Sequence, residues 1–418
     1  MKKNILIVGG GGREHAIAWK LRRSAQVGKI YCAPGNAGIG EIAENVPIAA
    51  TDIDGIVEFV LKHPDIYMTV VAPDDPLAMG LVDRLEEKGL RAFGPRSEAA
   101  VIEASKVFSK NLMKKYGIPT AAYETFDDYE TAKAYLETCK VPVVIKADGL
   151  ALGKGVLICN TRREAFDGLK EIMEDRAFGA AGNRVVIEEF LTGFEVSVLA
   201  FTDGETVVPM VSSQDHKRAL DGDKGLNTGG MGTFSPSIKY TDEMAAEAYE
   251  SIFVPTVRAM KAEGRTFKGV LYFGLMVCSD GIKVLEYNAR FGDPETQVVL
   301  PRLKNDLFDV FEACIDGTLG KIDFHWSEEA CVCVVAASGG YPLKYRKGLP
   351  IRIGDVGDCI IFHAGTAMED GRLVTNGGRV LGVTALGKTL ADARTKAYKA
   401  MSNIYFDGIH YRRDICAL

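Results

Sequence analysis

The sequence lacks several features that would assign it to a broad class. It contains no uninterrupted apolar run of about 20 residues, so we expect no membrane-spanning helix. It has no large basic block, and its formal net charge is −6, which argues against nucleic acid as the main partner. No signal-peptide pattern opens the sequence, because Met1-Lys2-Lys3 leads straight into a strand-length apolar run. We therefore expect a cytoplasmic protein with no membrane or nucleic-acid partner.

The cysteines lack the spacing of a redox or metal site. There are nine of them, and none forms a Cys-x-x-Cys pair. Cys331 and Cys333 stand two apart in an apolar run, a pattern that favours packing within a strand over metal binding. An odd number of scattered cysteines is typical of a reducing compartment, where most thiols are inert.

Two familiar nucleotide-binding motifs are also missing. The Walker A pattern G-x-x-x-x-G-K-[ST] has no match. The dinucleotide fingerprint fails because Glu14 or His15 stands where its last glycine should be, and no acidic residue ends the second strand. No Ser/His/Asp or Cys/His signature indicates a covalent nucleophile. A dinucleotide-binding site and a covalent enzyme nucleophile are therefore disfavoured.

Alternation of strands and helices is what the N-terminal part of the sequence contains. The 418 residues are 47% hydrophobic, enough for two to four domains. Apolar runs typical of strands fall at 4–8, 29–32, 67–72 and 90–93, and helical patterns fall at 13–23 and 77–88. Such alternation predicts a parallel sheet with helices on both faces. We place this α/β, Rossmann-like domain at 1–103.

The rest of the chain divides into a central region and a smaller C-terminal domain. In the central region, 104–327, strands at 143–146 and 156–158 flank a glycine-rich loop and predict an antiparallel hairpin within a mobile, nucleotide-covering subdomain at about 121–190. Further strands are predicted at 184–189, 194–202, 205–211, 269–278 and 281–287. Strands at 331–336, 358–363 and 379–384 and a helix at 390–403 predict an α+β domain over 328–418.

The glycine-rich turn after the first strand is the first candidate site. Gly10, Gly11, Gly12 and Arg13 open a helix, where outward-pointing N–H groups and the helix dipole favour an anion. We expect a phosphate carried by a substrate here. The alternative is a tight turn that needs glycine only for close packing.

A nucleotide site is suggested by Lys106, by Lys146 at the end of an apolar strand, and by the loop at 149–155. Ammonium groups suit phosphate oxygens, and glycines let a backbone approach a triphosphate closely. The stretch Glu188 to Leu191, followed by Glu195, could bind adenine and ribose. From the sequence alone, a strand end with solvated acids is the more usual explanation of that stretch.

The strongest local signal is the alternation of Glu286, Asn288 and Arg290, which an extended strand places on one face. A carboxylate and an amide oxygen suit Mg²⁺, which takes few protein ligands besides phosphate oxygens. Arg290 would then lie beside an anionic transfer site. A charged, exposed strand face is the alternative, and neither a calcium cage nor a zinc site is indicated.

Together these segments resemble the glycinamide ribonucleotide synthetases, the phosphoribosylamine–glycine ligases of the ATP-grasp superfamily. The resemblance runs in order through almost the whole chain, and the ordered set is far more specific than any single piece. The matching segments are 10–15, 33–38, 93–95, 146–151, 153–155, 213–218, 227–232, 290–297, 337–342, 363–366 and 375–380.

The resemblance implies central ATP-grasp domains, ATP with one or two Mg²⁺ or Mn²⁺ ions, and the substrates glycine and 5-phosphoribosylamine. Phosphates would be held by Lys106, Lys146, Lys154, Gly149, Gly153 and Gly155, and adenosine by Glu188, Glu189, Phe190, Leu191 and Glu195. Glu286 and Asn288 would bind the metal. The reacting groups would meet Arg290, Asp293, Lys217 and Asp215, and the substrates would also contact Gly10, Gly11, Gly12, Arg13, Glu14, Asn36, Asp74, Thr228, Gly229 and Gly230.

One segment departs from the family. Members usually read Val-Gly-Pro-Glu-x-Pro-Leu, whereas this chain has Ala72 for the glycine and Asp74 for the glutamate. We expect this change to alter contacts to the ribosylamine and not the reaction class. The alternatives are another ATP-grasp carboxylate–amine ligase and a nucleotide-binding regulator without catalysis. No interface stripe is evident, so we expect a monomer or a weak dimer.

Overall fold

The N-terminal part forms a twisted parallel sheet. A computed structural model describes residues 2–150 and 155–417. The strand order is β3-β2-β1-β4-β5, with every neighbouring pair parallel. The strands are β1 (Lys3–Gly9), β2 (Val27–Pro34), β3 (Glu44–Asn45), β4 (Ile66–Val71) and β5 (Ala92–Phe93), and the helices are α1 (Gly12–Leu21), α2 (Ile53–Lys62), α3 (Asp74–Ala78), α4 (Leu81–Glu87) and α5 (Ser97–Ala104). The predicted parallel α/β fold is confirmed.

A small antiparallel unit follows. Its sheet has the order β6-β9-β7-β8 and packs on two helices through residues such as Leu136, Ile145 and Leu169. Its β7–β8 hairpin matches the one predicted around the glycine-rich loop. Its elements, with the helix α6 that precedes it, are α6 (Lys106–Tyr116), β6 (Tyr123–Phe126), α7 (Tyr129–Thr138), β7 (Val143–Ala147), β8 (Val156–Cys159), α8 (Arg162–Met173) and β9 (Val185–Glu189).

A second antiparallel sheet, ordered β11-β10-β16-β17, forms the floor of the central region. In the sequence, short strands and helices lie between its strands β11 and β16. The elements are β10 (Phe194–Thr202), β11 (Val207–Pro209), β12 (Gln214–Asp215), β13 (Arg218–Leu220), β14 (Lys224–Asn227), β15 (Gly232–Ser235), α9 (Asp242–Ala248), α10 (Val254–Ala262), β16 (Gly269–Cys278), β17 (Gly281–Asn288), α11 (Thr296–Val299) and α12 (Leu307–Asp316).

The C-terminal sheet borrows strands from the central region. Its order is β12-β15-β18-β23-β20, so that β15 pairs with β18 although nearly a hundred residues separate them. The remaining elements are β18 (Ala330–Ala337), β19 (Arg352–Ile353), β20 (Ile360–His363), β21 (Thr366–Glu369), β22 (Arg372–Thr375), β23 (Arg379–Gly387), α13 (Leu390–Met401) and β24 (Ile404–Tyr405).

The apolar core joins the N-terminal sheet to the central region. Phe93 of β5 stacks on Phe311 of α12 with ring centroids 3.9 Å apart, and Ile7 and Val70 belong to the same buried cluster as Val298. Because apolar burial is the main favourable term in folding, this shared core holds the two parts against each other.

Some predicted boundaries are wrong. The helix predicted at 77–88 is two helices, α3 and α4, because Gly80 adopts a left-handed conformation with φ of +83° between them. The strands predicted at 90–93 and 205–211 shorten to Ala92–Phe93 and Val207–Pro209. All nine cysteines are free thiols, and Cys331 and Cys333 are buried in β18. Within the described ranges, no helix is both long and apolar enough to span a membrane.

Candidate active site

A cleft of about 530 Å³ opens between the N-terminal sheet, the small antiparallel unit, the central sheet and the C-terminal sheet. Most of the site residues predicted from the sequence line it, although they come from distant parts of the chain. These are Arg13, Asp74, Lys106, Lys146, Gly149, Gly155, Glu188, Asp215, Lys217, Thr228, Gly229, Glu286, Asn288, Arg290 and Asp293. The predicted phosphate contacts Gly153 and Lys154 lie outside the described residues.

A bulge in β17 turns its polar residues toward the cleft. Glu286 and Val284 pair with consecutive residues of β16, so Leu285 is an extra residue on β17. Val284 is buried before the bulge and Tyr287 after it, while Glu286 and Asn288 line the cleft. Because side chains alternate with a period of two, a regular strand would have turned Glu286 to the side of Val284. The bulge therefore exchanges the two faces at the point where the polar residues begin.

Glu286 and Asn288 fit a hard divalent cation. Burial would raise the pKa of Glu286, but the charges of Lys217, Lys146 and other nearby cations together hold it below its ordinary value. The carboxylate is therefore ionised, as a metal ligand must be. Over residues 2–150 and 155–417, no group of three or more His, Cys, Asp or Glu residues is arranged to hold a metal. Two oxygen donors suit Mg²⁺, which completes its shell with water and phosphate oxygens, better than they suit zinc.

Buried lysines surround Glu188 at one end of the cleft. Its two carboxylate oxygens lie 3.0 Å from Nζ of Lys146 and 3.2 Å from Nζ of Lys110. Lys146 also donates to the carbonyl of Leu285, and Lys106 donates to the carbonyl of Gly149 at 3.1 Å. Burial lowers the pKa of Lys106 and lowers that of Lys110 to about 8. This end carries more buried cations than carboxylates, so it can accept a polyanion.

Carboxylates predominate at the opposite end. Glu295 is buried, and its Oε1 accepts hydrogen bonds from the hydroxyls of Tyr272 at 3.1 Å and Ser197 at 3.3 Å. Burial and the charge of Glu295 raise the pKa of Asp215 well above its ordinary value. Lys217 ion-pairs with Glu195 at 2.8 Å. This end can therefore accept a cationic group.

A second cavity of about 340 Å³ adjoins the cleft and shares Asp293, Arg379 and Tyr341 with it. Of the predicted residues, Gly10, Gly11 and Asn36 line it. The guanidinium of Arg379 lies 3.4 Å from Oδ2 of Asp293 and donates to the carbonyl of the same residue at 2.7 Å. Although burial opposes ionisation, the charges of Arg379 and Arg13 hold the pKa of Asp293 below its ordinary value. The two cavities thus meet at one ion pair.

The glycine-rich turn is less open to an anion than the sequence suggests. The N–H of Gly11 donates to Oε2 of Glu14 at 2.6 Å, and Oε1 of Glu14 accepts from Nε of Arg13 at 2.6 Å. The prediction of outward-pointing N–H groups at this turn therefore fails at Gly11, because the first turn of α1 supplies its own carboxylate. Arg13 reaches the cleft and donates to the carbonyl of Phe291.

A histidine pair lies beside this turn, between α1 and β20. The N–H of His363 donates to Nδ1 of His15 at 2.8 Å, and the side chain of Asn36 donates to the carbonyls of Gly10 and His363. Burial, reinforced by the charge of His363, lowers the pKa of His15 to about 3, and burial lowers that of His363 to about 4. Both rings are thus neutral near pH 7, and they join the N-terminal sheet to the C-terminal one.

Several predicted residues lie outside both cavities. Leu191 packs with Ala121 and Met276, while Oε1 of Glu189 accepts from the N–H of Ala122. Phe190 is partly exposed. Gly230 has φ of +110°, and a Cβ there would come within 2.4 Å of Pro294, so it is required for packing. The residues that line neither cavity are Gly12, Glu14, Glu189, Phe190, Leu191, Glu195 and Gly230.

The loop that carries Lys217 and Thr228 is fastened from the far end of the chain. Arg412 is only 2% exposed, and it donates to the carbonyl of Arg218 at 3.1 Å and to Oδ1 of Asp223 at 2.7 Å. Asp414 accepts from Arg412 and from the N–H of Gly222. This clasp fixes the β13–β14 hairpin, from whose two ends the cleft residues project.

Among the charged residues that line the cleft in the described structure, four were missed from the sequence: Glu103, Lys110, Glu295 and Arg379. Lys110 lies one turn after Lys106 on α6, a spacing of four that places both on one helix face and could have indicated it. Arg379 follows two glycines and begins a predicted strand. Nothing in its own neighbourhood distinguishes Glu103 from an ordinary helix residue.

Comparison with known proteins gives consistent matches along the chain. Residues 3–103 match the N domain of phosphoribosylglycinamide synthetase, residues 104–296 its ATP-grasp (A) domain, and residues 331–417 its C domain. A phosphoribosylamine–glycine ligase of Halalkalibacterium halodurans is 50% identical over 99% of this chain and 96% of its own length. One from Caldanaerobacter subterraneus subsp. tengcongensis is 49% identical over 99% of both chains.

Solved structures agree with these matches. The crystal structure of phosphoribosylamine–glycine ligase from Thermotoga maritima has a TM-score of 0.88 and 36% identity, covering 99% of this chain and 100% of that one. The biotin carboxylase domain of a Hydrogenobacter thermophilus carboxylase, with a TM-score of 0.75 and 16% identity over 98% of this chain and 92% of that one, shows the fold alone. This chain belongs to the phosphoribosylglycinamide synthetase family of ATP-grasp proteins.

Proposed function

We propose that this protein ligates glycine to 5-phosphoribosylamine, using ATP and releasing ADP, phosphate and glycinamide ribonucleotide. The observation that carries the proposal is the polarity of the cleft, which has buried lysines at one end and, at the other, the carboxylates of Asp215 and Glu295, which have no cationic side chain within 4 Å among the described residues. A polyanionic nucleotide and an amino acid with a free ammonium group match these two ends. The names of the relatives support the same reaction.

A carboxylate reacts poorly with an amine, so the carboxylate of glycine must first be activated by phosphorylation. A carboxylate oxygen of glycine attacks the γ-phosphorus of ATP, breaking its bond to ADP and giving glycyl phosphate. The amine of phosphoribosylamine then attacks the acyl carbon, the C–N bond forms, the C–O bond to phosphate breaks, and the proton lost from the amine passes to the departing phosphate or to solvent. Catalysis of this kind depends on positioning and on neutralising charge.

The residues would divide the work as follows. Lys106 and Lys146 would hold the ATP phosphates, and Asp215 with Glu295 would face the ammonium of glycine. Mg²⁺ or Mn²⁺ at Glu286 and Asn288 would neutralise charge on the phosphate oxygens. One or two such ions would bind there.

The ribosylamine would lie between the second cavity and the cleft. Asp293 and Arg379 line both cavities, so a substrate that fills the second can present its amine to the first. Gly10, Gly11 and Asn36 would then meet its phosphoribosyl part. Asp74, shorter than the glutamate usual in the family, would leave room for water on the cleft side.

The test is ADP release from ATP and Mg²⁺ with glycine and freshly made phosphoribosylamine, added separately and together. We expect ADP in quantity only with both, matched by glycinamide ribonucleotide in the mass spectrum. ADP formed equally without the amine, or with another carboxylate in place of glycine, would assign the protein to a different ATP-grasp ligase. No ADP under any condition would favour a nucleotide-binding regulator.

A further inference from the structure

Arg290 is held by a carboxylate from a distant part of the chain. Its Nη2 lies 3.1 Å from Oε1 of Glu103, a residue of α5 at the end of the N-terminal domain. The second oxygen, Oε2, accepts from the backbone N–H of Ala289 at 2.7 Å, across 186 positions of sequence. One carboxylate therefore fixes both the guanidinium of Arg290 and the peptide that precedes it.

The other contacts of Arg290 are weaker. It donates to Oδ1 of Asn288 and to the carbonyl of Phe291, each at 3.3 Å, and its buried Nε has no hydrogen-bond partner in the part of the chain that the structure describes. Among the described residues, Glu103 is the carboxylate within 4 Å of this guanidinium. Arg290 thus depends on Glu103 for its orientation in the cleft.

Burial of Glu103 also opposes its ionisation, which lowers the stability that its ion pair can contribute. It is 8% exposed, and burial raises its pKa even though the charge of Arg290 acts in the opposite direction. Desolvating two charges often costs as much as their attraction returns, so a buried ion pair is weak evidence of a role in stability. Its position between the N-terminal domain and the cleft points to a role in the reaction instead.

We infer that Glu103 is a positioning residue, which holds the guanidinium of Arg290 in the orientation needed to contact the transferring phosphoryl group. The inference rests on the proposed function. It also makes α5 the element that connects the N-terminal domain, where the ribosylamine would bind, to the transfer centre. A guanidinium displaced by about 1 Å can cost about a hundredfold in turnover.

The first test is Glu103→Gln, with Glu103→Asp as a second variant in case the first folds poorly. Glutamine offers one acceptor where two are needed, and aspartate is one methylene too short to span both donors. We expect kcat to fall by about 10- to 100-fold in each, with the Kd for ATP within about threefold of wild type. A kcat within threefold of wild type in a folded variant would overturn the inference.

The matched control is Glu312→Gln. Glu312 of α12 also joins the N-terminal domain to the central region, by accepting from Tyr67 and lying 4.0 Å from Arg91, but it lies outside the cleft. We expect its kcat to stay near that of wild type. An equal loss in Glu312→Gln would show that Glu103 only joins the domains.

A double-mutant cycle with Arg290→Lys separates positioning from a general structural effect. If Glu103 acts through Arg290, Glu103→Gln should cost little once Arg290 is replaced, because interacting residues are non-additive. Additive losses would sink the idea. Wild-type turnover is measured alongside, so that its absence, which would refute the proposed function, is not confused with failure of this inference.

Discussion

The two ends of the cleft carry opposite charge, since lysines predominate at one end and carboxylates at the other. At the nucleotide end, Lys110 and Lys146 both pair with the carboxylate of Glu188, and Lys106 lines the same part of the cleft. At the transfer end, Asp215 and Glu295 have no cationic side chain within 4 Å among the described residues. Each end thus presents the charge opposite to that of the ligand proposed for it, and the ligand supplies the missing partner. Isolated buried charge is costly, so both ends should be most stable when occupied.

The strongest test of this comparison removes the group between the two ends. In Glu286→Gln, the metal loses its charged ligand, and we expect turnover to fall by about 10²- to 10³-fold with the fold intact. The measurement is ADP release across a Mg²⁺ titration. Glu247→Gln is the control and should keep its activity, because Glu247 lies on α9 and accepts from the N–H of Ile282, at the far end of the same strand from Glu286. Near-normal turnover of Glu286→Gln at low Mg²⁺ would exclude Glu286 as a ligand.

Lys146→Met tests the nucleotide end alone. The variant loses a cation from the phosphate site and leaves Glu188 with Lys110 as its partner. We expect the KM for ATP to rise by about 10- to 100-fold while the KM for glycine changes by less than about threefold. Lys114→Met removes an exposed lysine from the neighbouring α6 and serves as the control. An unchanged KM for ATP would remove Lys146 from the site.

Asp215→Asn tests the transfer end. An amide keeps the acceptor for the N–H of His216 but loses the charge that would attract the ammonium of glycine. We expect the KM for glycine to rise by about tenfold with little change for ATP, a pattern opposite to that of Lys146→Met. The unliganded variant should also melt at a higher temperature near pH 8, because a buried carboxylate with a raised pKa costs stability when ionised. A lower Tm together with an unchanged KM would contradict the assignment.

The smallest effect on turnover is expected at the neutral histidine pair, which lies outside both ends. His15 has a folded pKa of about 3 and His363 one of about 4, both below the ordinary 6.5. Between the folded values and 6.5, the unfolded chain therefore binds more protons than the folded chain does. The contribution of the two histidines to the free energy of unfolding is fully present above about pH 6.5 and is lost as the pH drops below it.

We expect the two histidines together to lower the free energy of unfolding by about 4 kcal/mol at pH 5 relative to pH 7. Urea midpoints at several pH values measure this loss. In His15→Asn, which keeps an acceptor for the N–H of His363, the fall from pH 7 to pH 5 should be about half as steep. His325→Asn, an exposed histidine, is the control. Identical slopes for His15→Asn and wild type would place the acid sensitivity elsewhere.

Local patterns were sufficient for most of the elements, although not for all of their boundaries, and for the chemistry of single segments. The alternation of Glu286 and Asn288, the apolar strand that ends in Lys146 and the glycine-rich loop that follows it are each visible within about ten residues of sequence, and residues from all three line one cleft. The family resemblance added the order in which these segments meet.

Other features depend on residues that are distant in sequence. The bulge at Leu285 is set by pairing with β16, and the pairing of Glu103 with Arg290 depends on how α5 packs on β17. Long-range geometry of this kind has no local signature, so the sequence alone could not supply it.

The Arg412 clasp has a consequence for synthesis. The carbonyl of Arg218 accepts a hydrogen bond from Arg412, which lies 194 positions later in the sequence. A growing chain can therefore pair β16 with β17 and shape most of the cleft while the hairpin beside Lys217 is still unfastened. The hairpin that carries Lys217 and Thr228 can be fixed only after residue 412 has been synthesised, so we expect ligation to require this late segment of the chain.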